Sequence, residues 1–212
     1  MMNIVLVGVG GQGIILGAKV LAVAAASRGY SVRTSEAPDV TKRGESVSMH
    51  VRIADEGEEI FTPIVPRGMA DLIISFEPGE AARALPLLAS DGAIITATTP
   101  VVPVTAAYDV KSYDVEEIIK GIQLALYNRR VRNISHALGH VDQVKLIQVN
   151  DLAVTDMLGE NRKVLNAVML AAATKAGCLS VTAEELCHAV EACVKPDYAK
   201  MNIQAIKLVM GA

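Results

Sequence analysis

The sequence predicts an α/β fold in three layers, a mostly parallel sheet with helices on both faces and one antiparallel ribbon. Short apolar runs at 4–7, 71–76 and 92–97 are buried strands, 144–149 is a further strand, and helical stretches lie between them. The first run passes through Gly8-Val9-Gly10-Gly11-Gln12-Gly13 straight into a helix at 14–26, the strand–turn–helix order of a Rossmann-like unit. Residues 45–53 alternate instead. Val47, Met49, Val51 and Ile53 fall on one side and Ser46, Ser48, His50 and Arg52 on the other, as in a half-buried antiparallel strand.

The elements follow in order. Gly29 closes the first helix as its C′ residue. Residues 31–34 form a second strand, which leaves Glu36 beyond its end. The charged tip at 55–59 turns the alternating strand back into a short partner at 60–64. A helix at 79–89 follows the strand at 71–76, with Glu80 favouring its first turn and Glu77 facing the ligand edge. Pro100 and Pro103 break the chain before an amphipathic helix at 115–127, and 128–142 reads as a polar connection or a further helical turn. Helices then occupy 151–158, 162–175, 183–194 and 198–210, the third opened by a capping box of Thr182 and Glu185. Nothing resembles a linker, so 1–212 reads as a single domain.

Composition narrows the function. With 51% hydrophobic but only 3% aromatic residues and no Trp, the core is built from Ala, Val, Ile and Leu, and base-stacking platforms are not expected. A net charge of −3, from 20 basic and 23 acidic residues mixed along the chain, argues against nucleic acid and anionic membranes as partners. Cys178, Cys187 and Cys193 are odd in number and never spaced C-x-x-C, which fits neither a disulfide framework nor a zinc or iron–sulfur site. The apolar helix at 14–26 is too short to cross a bilayer and contains Lys19, and no charged leader precedes it. A cytoplasmic protein with reduced thiols is expected.

Two groups of residues point to anion binding. Gly8, Gly10, Gly11, Gln12 and Gly13 place backbone donors at a helix N-terminus, with Gly8 and Gly10 permitting the turn and Gly13 a close helix–sheet approach. Ser35, Glu36, Lys42, Arg43 and Gly44 belong to the next loop on the same sheet edge, where Lys42 and Arg43 supply cationic donors. Glu36 is also the one acid near the position where a nicotinamide cofactor's ribose would be held. Metal ligation by His136 and His140, four apart, is opposed by Gly139 between them and the lack of a third ligand. His50 and His188, on polar faces, have no Ser or Asp partner for a nucleophilic triad. Asn166 stands in an otherwise apolar helix, and its amide requires a partner.

In order along the chain, the glycine turn with Ile14-Ile15-Leu16-Gly17, Ser35-Glu36, Lys42-Arg43-Gly44, Val51-Arg52-Ile53, Ala70-Asp71-Leu72, Phe76-Glu77-Pro78, Asn166 to Leu170, Asn202 and Gly211 resemble the gamma subunit or domain of 2-oxoacid:ferredoxin oxidoreductases. That group includes pyruvate, ketoisovalerate, 2-oxoglutarate and indolepyruvate enzymes, and the indolepyruvate type is the favoured subclass on length and layout. One departure is Thr41-Lys42-Arg43-Gly44-Glu45, where the family often has Ala-Gln-Arg-Gly-Gly; Glu45 adds a negative side chain.

The resemblance implies an accessory subunit of a heteromer that decarboxylates a 2-oxoacid to an acyl-CoA and reduces ferredoxin. Thiamine diphosphate, magnesium, iron–sulfur clusters and coenzyme A then belong to partner subunits or interfaces, since this chain has no Gly-Asp-Gly…Asn segment and no cluster-spaced cysteines. The glycine turn and basic loop would bind coenzyme A phosphates or shape the contact with the thiamine-bearing subunit. Two rivals remain on the residues alone: a stand-alone NAD(P)-dependent dehydrogenase, and a scaffold whose glycine turn is purely structural.

Overall fold

A computed structural model describes residues 1–36, 45–101, 113–136, 145–159 and 161–211, with backbone alone over 129–136. The strands are β1 (Met2–Val9), β2 (Ser31–Glu36), β3 (Ser46–Ala54), β4 (Ala70–Ser75), β5 (Leu88–Ala97) and β6 (Lys145–Val149). The helices are α1 (Ile14–Ala26), α2 (Pro78–Ala84), α3 (Val115–His136), α4 (Asp151–Met157), α5 (Leu165–Lys175), α6 (Ala183–Cys193) and α7 (Pro196–Met210). The sheet order is β2-β3-β1-β4-β5-β6. β3 runs antiparallel to both its neighbours, while β1, β4, β5 and β6 pair in parallel.

The sheet is covered on both faces, as its apolar strands require. Ile4, Leu6, Val51, Leu72, Ile74 and Ile95 face a core completed by α1, α5, α6 and α7. Val5, Val7, Ile73 and Ile94 face a smaller core under α2 and α3. The chain leaves β1 over one face through α1 and later leaves β4 over the other through α2. Carboxyl-edge loops therefore diverge at β1, the place where open α/β sheets form a ligand crevice.

Several expected boundaries move for physical reasons. The ribbon at 60–64 is not a strand. β3 already has both edges occupied by β1 and β2, so no ladder remains for a third partner. The segment instead crosses the sheet face, where the Val65 amide donates to His50 Nδ1 at 3.0 Å and Arg52 donates to the Thr62 carbonyl at 2.8 Å. That cover buries His50, expected on a polar face, to 5% exposure, and burial lowers its pKa. α2 ends at Ala84 because Pro86 cannot continue it; residues Leu85–Leu87 form a 3-10 turn and β5 starts at Leu88. α3 continues through much of the expected polar connection, to His136. β2 reaches Glu36, so that acid ends the strand. The Thr182–Glu185 capping box forms as expected.

Glu77, expected to face the ligand edge, is fully buried instead. Its carboxylate caps α2 by accepting from the Glu80 amide at 3.0 Å and from the Tyr113 hydroxyl, which in turn accepts from the Gly79 amide at 3.1 Å. Burial dominates and raises the Glu77 pKa despite these hydrogen bonds. The folded chain therefore holds a proton that the unfolded chain releases, so stability falls as pH rises from the ordinary glutamate range through the raised value. Glu77→Gln should flatten this part of the profile, removing a slope of up to about 1.4 kcal/mol per pH unit. Urea titrations of both chains across that window would test it, and parallel profiles would refute the assignment.

Candidate functional site

The glycine turn is closed by one side chain. Gln12 Oε1 accepts from the Val9 amide at 2.7 Å, and its Nε2 donates to the Phe76 carbonyl at 2.8 Å, tying the end of β1 to the end of β4. Its carboxamide is thus committed to the chain itself, and the turn's ligand donors are backbone groups. A Cβ on Gly8 would stand 2.9 Å from Phe76 Cβ, so the first glycine is required by this close approach. Gly11 and Gly13 are required by φ values of 103° and 81°. The close helix–sheet approach belongs to Gly17 rather than Gly13. A Cβ there would lie 3.4 Å from both Leu6 and Phe76, whereas one on Gly13 would lie 3.1 Å from Asn166 Nδ2 of α5. Gly10 donates to the Glu45 carbonyl at 2.8 Å.

Gly13, at the N-cap of α1, offers no side chain to cap it, and the first turn contains no acid. Its leading N–H groups therefore face outward with the positive end of the helix dipole. A cleft against this end is lined by Gly11, Gln12, Gly13, Leu16, Arg162, Lys163, Asn166, Val194, Tyr198 and Asn202. No carboxylate lines it. Asn166 is 4% exposed. Its Oδ1 accepts from the Ala167 amide at 2.7 Å, while its Nδ2 donates to no acceptor among the described residues. Lys163 Nζ lies 5.1 Å from the centre of the Tyr198 ring, and Arg162 pairs with buried Asp151 at 3.3 Å. Asn202 donates to the Tyr198 carbonyl at 2.8 Å, which fixes the α7 wall.

The sequence points to Lys42 and Arg43 as cationic donors and does not single out Arg162, Lys163 and Tyr198. Its usable signal was the basic pair three residues ahead of Asn166, at the start of an apolar helix. Lys42, Arg43 and Gly44 lie outside the described residues. The residue that follows them, Glu45, touches the turn through its carbonyl, so the loop's end is on the turn's side of the sheet. Glu45 Oε2 is buried without a hydrogen-bond partner among the described residues. Ser35 and Glu36 pair with His50 and Met49 of β3, which separates them from β1. Two strand spacings put Glu36 about 9–10 Å from β1, twice the about 4.8 Å between adjacent strands where a ribose-binding acid normally sits. That spacing weighs against the dehydrogenase geometry.

Other candidates have structural surroundings. His136 is the last residue of α3, its side chain lies outside the description, and so does His140. His188 lies on exposed α6 surface. The three cysteines are free, and burial raises the pKa of each thiol. Among the described residues no group of three His, Cys, Asp or Glu side chains is placed to hold a metal. No helix among them is long and apolar enough to cross a membrane.

Comparison with known proteins agrees with this architecture. The indolepyruvate oxidoreductase subunit IorB of Pyrococcus horikoshii is 32% identical over 211 residues, covering 99% of this chain and 95% of that one. The subunit of the same name from Methanothermobacter thermautotrophicus is 32% identical over 157 residues, 72% of this chain and 78% of its own. In fold, the chain is similar to a keto/oxoacid ferredoxin oxidoreductase gamma subunit from Geobacter sulfurreducens, with a TM-score of 0.64 at 18% identity and coverage of 100% and 97%. It also resembles part of the 2-oxoglutarate:ferredoxin oxidoreductase of Magnetococcus marinus, solved with 2-oxoglutarate, coenzyme A and succinyl-CoA bound, with a TM-score of 0.66 at 14% identity over 99% of this chain and 31% of that one. The model of the pyruvate ferredoxin/flavodoxin oxidoreductase family matches residues 3–212, and the chain belongs to that family.

Proposed function

We propose that the chain is an accessory subunit of a heteromeric 2-oxoacid:ferredoxin oxidoreductase of the indolepyruvate type, and that its α1 cleft receives the phosphates of coenzyme A. The complex oxidatively decarboxylates a 2-oxoacid to an acyl-CoA and reduces ferredoxin. Thiamine-diphosphate and iron–sulfur subunits supply that chemistry, and the isolated chain is inactive. The observation that carries the cleft's role is Asn166 Nδ2, a donor on a cleft-lining residue with no acceptor among the described residues, beside an uncapped helix N-terminus. A phosphate oxygen accepting from this amide would make a hydrogen bond to a charged group, worth about 1.5–3 kcal/mol. Arg162 and Lys163 add charge complementarity, and no acid lines the cleft to oppose it.

The magnitudes rank the contributions. In the assembled complex, Asn166→Leu should raise the KM for coenzyme A by about five- to a hundredfold, the loss of one donor to a charged acceptor. Exposed Lys163 should contribute less, and Lys163→Ala should raise KM about two- to fivefold, an effect that fades with added salt. Steady-state kinetics with varied coenzyme A would test both; values within twofold of wild type for Asn166→Leu would refute the cleft's role. Equilibrium titration of the isolated chain with NAD(H) and NADP(H) addresses the rival, which requires micromolar binding and turnover.

Glu45 generates a prediction of opposite sign. Its buried, unpartnered Oε2 adds negative charge beside the turn. Glu45→Ala should raise unfolding stability by up to about 1 kcal/mol and lower the coenzyme A KM. Chemical denaturation and kinetics of the assembled complex would read the two effects separately.

A further inference from the structure

Three carboxyl-edge segments meet at one buried carboxylate. Asp151, fully buried at the start of α4, accepts at Oδ1 from the amides of Thr98 and Thr99 at 3.1 Å each and from the Thr99 hydroxyl at 2.9 Å. These partners leave Oδ2 to Arg162 Nη2, 3.3 Å away. The carboxylate thus joins the end of β5, the segment after β6 and the turn ahead of α5. Arg162 is the only one of these contacts that also lines the α1 cleft, and its side chain is 41% exposed.

We propose that Asp151 is a positioning residue for the anion cleft, fixing the Arg162 guanidinium so that its remaining N–H donors face the ligand. This rests on the coenzyme A reading given above. A guanidinium has five N–H donors in a rigid planar fork, so one pairing fixes the plane in which the others point. An arginine free of Asp151 samples many rotamers, and binding would have to order it. The carboxylate also acts in the opposite sense, because its negative charge lies behind the cation that attracts the ligand. Were that field dominant, removing it would tighten anion binding, so the sign of the mutational effect discriminates between the two.

Asp151→Asn keeps an oxygen for Thr98 and Thr99 but presents an amide to Arg162, donor against donor. In the assembled complex this variant should raise the coenzyme A KM about three- to tenfold, the cost of ordering one freed side chain, while kcat holds. Arg162→Ala should raise KM at least as far, and the double variant should be no worse than Arg162→Ala alone. An unchanged or lowered KM for Asp151→Asn beside a raised one for Arg162→Ala overturns the positioning role and leaves the coenzyme A reading standing. An unchanged KM for Arg162→Ala overturns both. If the Asp151→Asn chain does not fold, Arg162→Lys decides the matter. Lysine keeps the charge without the planar fork, so a loss approaching that of Arg162→Ala supports positioning, and a wild-type KM refutes it.

Discussion

The Gln12 carboxamide is the contact on which the rest of the carboxyl edge depends. It spans the ends of β1 and β4, accepting from Val9 and donating to Phe76. These are the strands at which the chain switches from one sheet face to the other. Joining them fixes the turn, and with it the direction in which α1 leaves the sheet. The space for this clamp exists because Gly8 brings no Cβ against Phe76. A helix N-terminus pointed at solvent without a cap would ordinarily be satisfied by water. Here the same turn lies against Asn166, so the donors of α1 and α5 converge on one cleft. Tertiary packing creates that convergence, and helical propensity would not.

The position of β3 bears on which ligand suits the edge. In a nucleotide-binding unit of the usual order, the second strand lies beside the first, and its terminal acid reaches the ribose of a dinucleotide seated on the glycine turn. Here β3 is wedged between them, antiparallel to both. Glu36 therefore ends the expected strand but on the wrong side of an intervening one. The cationic and amide groups lie in the other direction, on the turn ahead of α5, on α5 itself and on α7. A ligand rich in phosphate suits this arrangement better than one held by its ribose hydroxyls.

Much of this was legible in the sequence, and the rest was hidden for identifiable reasons. Apolar runs located β1, β4 and β5, because strands buried on both faces leave an unbroken signal; the weaker run at 144–149 located β6, a half-exposed edge strand. The period-two stretch located β3. Its pairing was not readable, since alternation specifies a face and says nothing about which strands occupy the two edges. The segment at 60–64 therefore looked like a hairpin partner when it in fact covers His50 and Arg52. The glycine turn was readable as a strand–turn–helix unit, and cationic donors were sought near it in sequence, at Lys42 and Arg43. Arg162 and Lys163 lie about 150 residues from the turn, and only the packing of α5 against α1 brings them there, with α7 packed on α5. Asn166 was recognised as a polar residue needing a partner; that it lines the cleft with its Nδ2 toward Gly13 emerges only from the fold.

The acids at this edge explain why the cleft is cationic in a chain of net negative charge. Glu77, Glu80 and Asp151 all sit at or just beyond strand carboxyl ends, where a ligand would meet them if they were exposed. Each is buried and answered internally. Glu77 takes the Glu80 amide and the Tyr113 hydroxyl; Glu80 takes the Ser46 hydroxyl and Arg83; Asp151 takes Thr98, Thr99 and Arg162. Buried carboxylates satisfied in this way direct little field outward, while helix N–H groups, Arg162 and Lys163 remain at the surface. Glu45, with an unanswered oxygen beside the turn, is the exception. The local field at the α1 cleft is therefore set by how each acid is hydrogen-bonded, and the overall charge of −3 does not determine it.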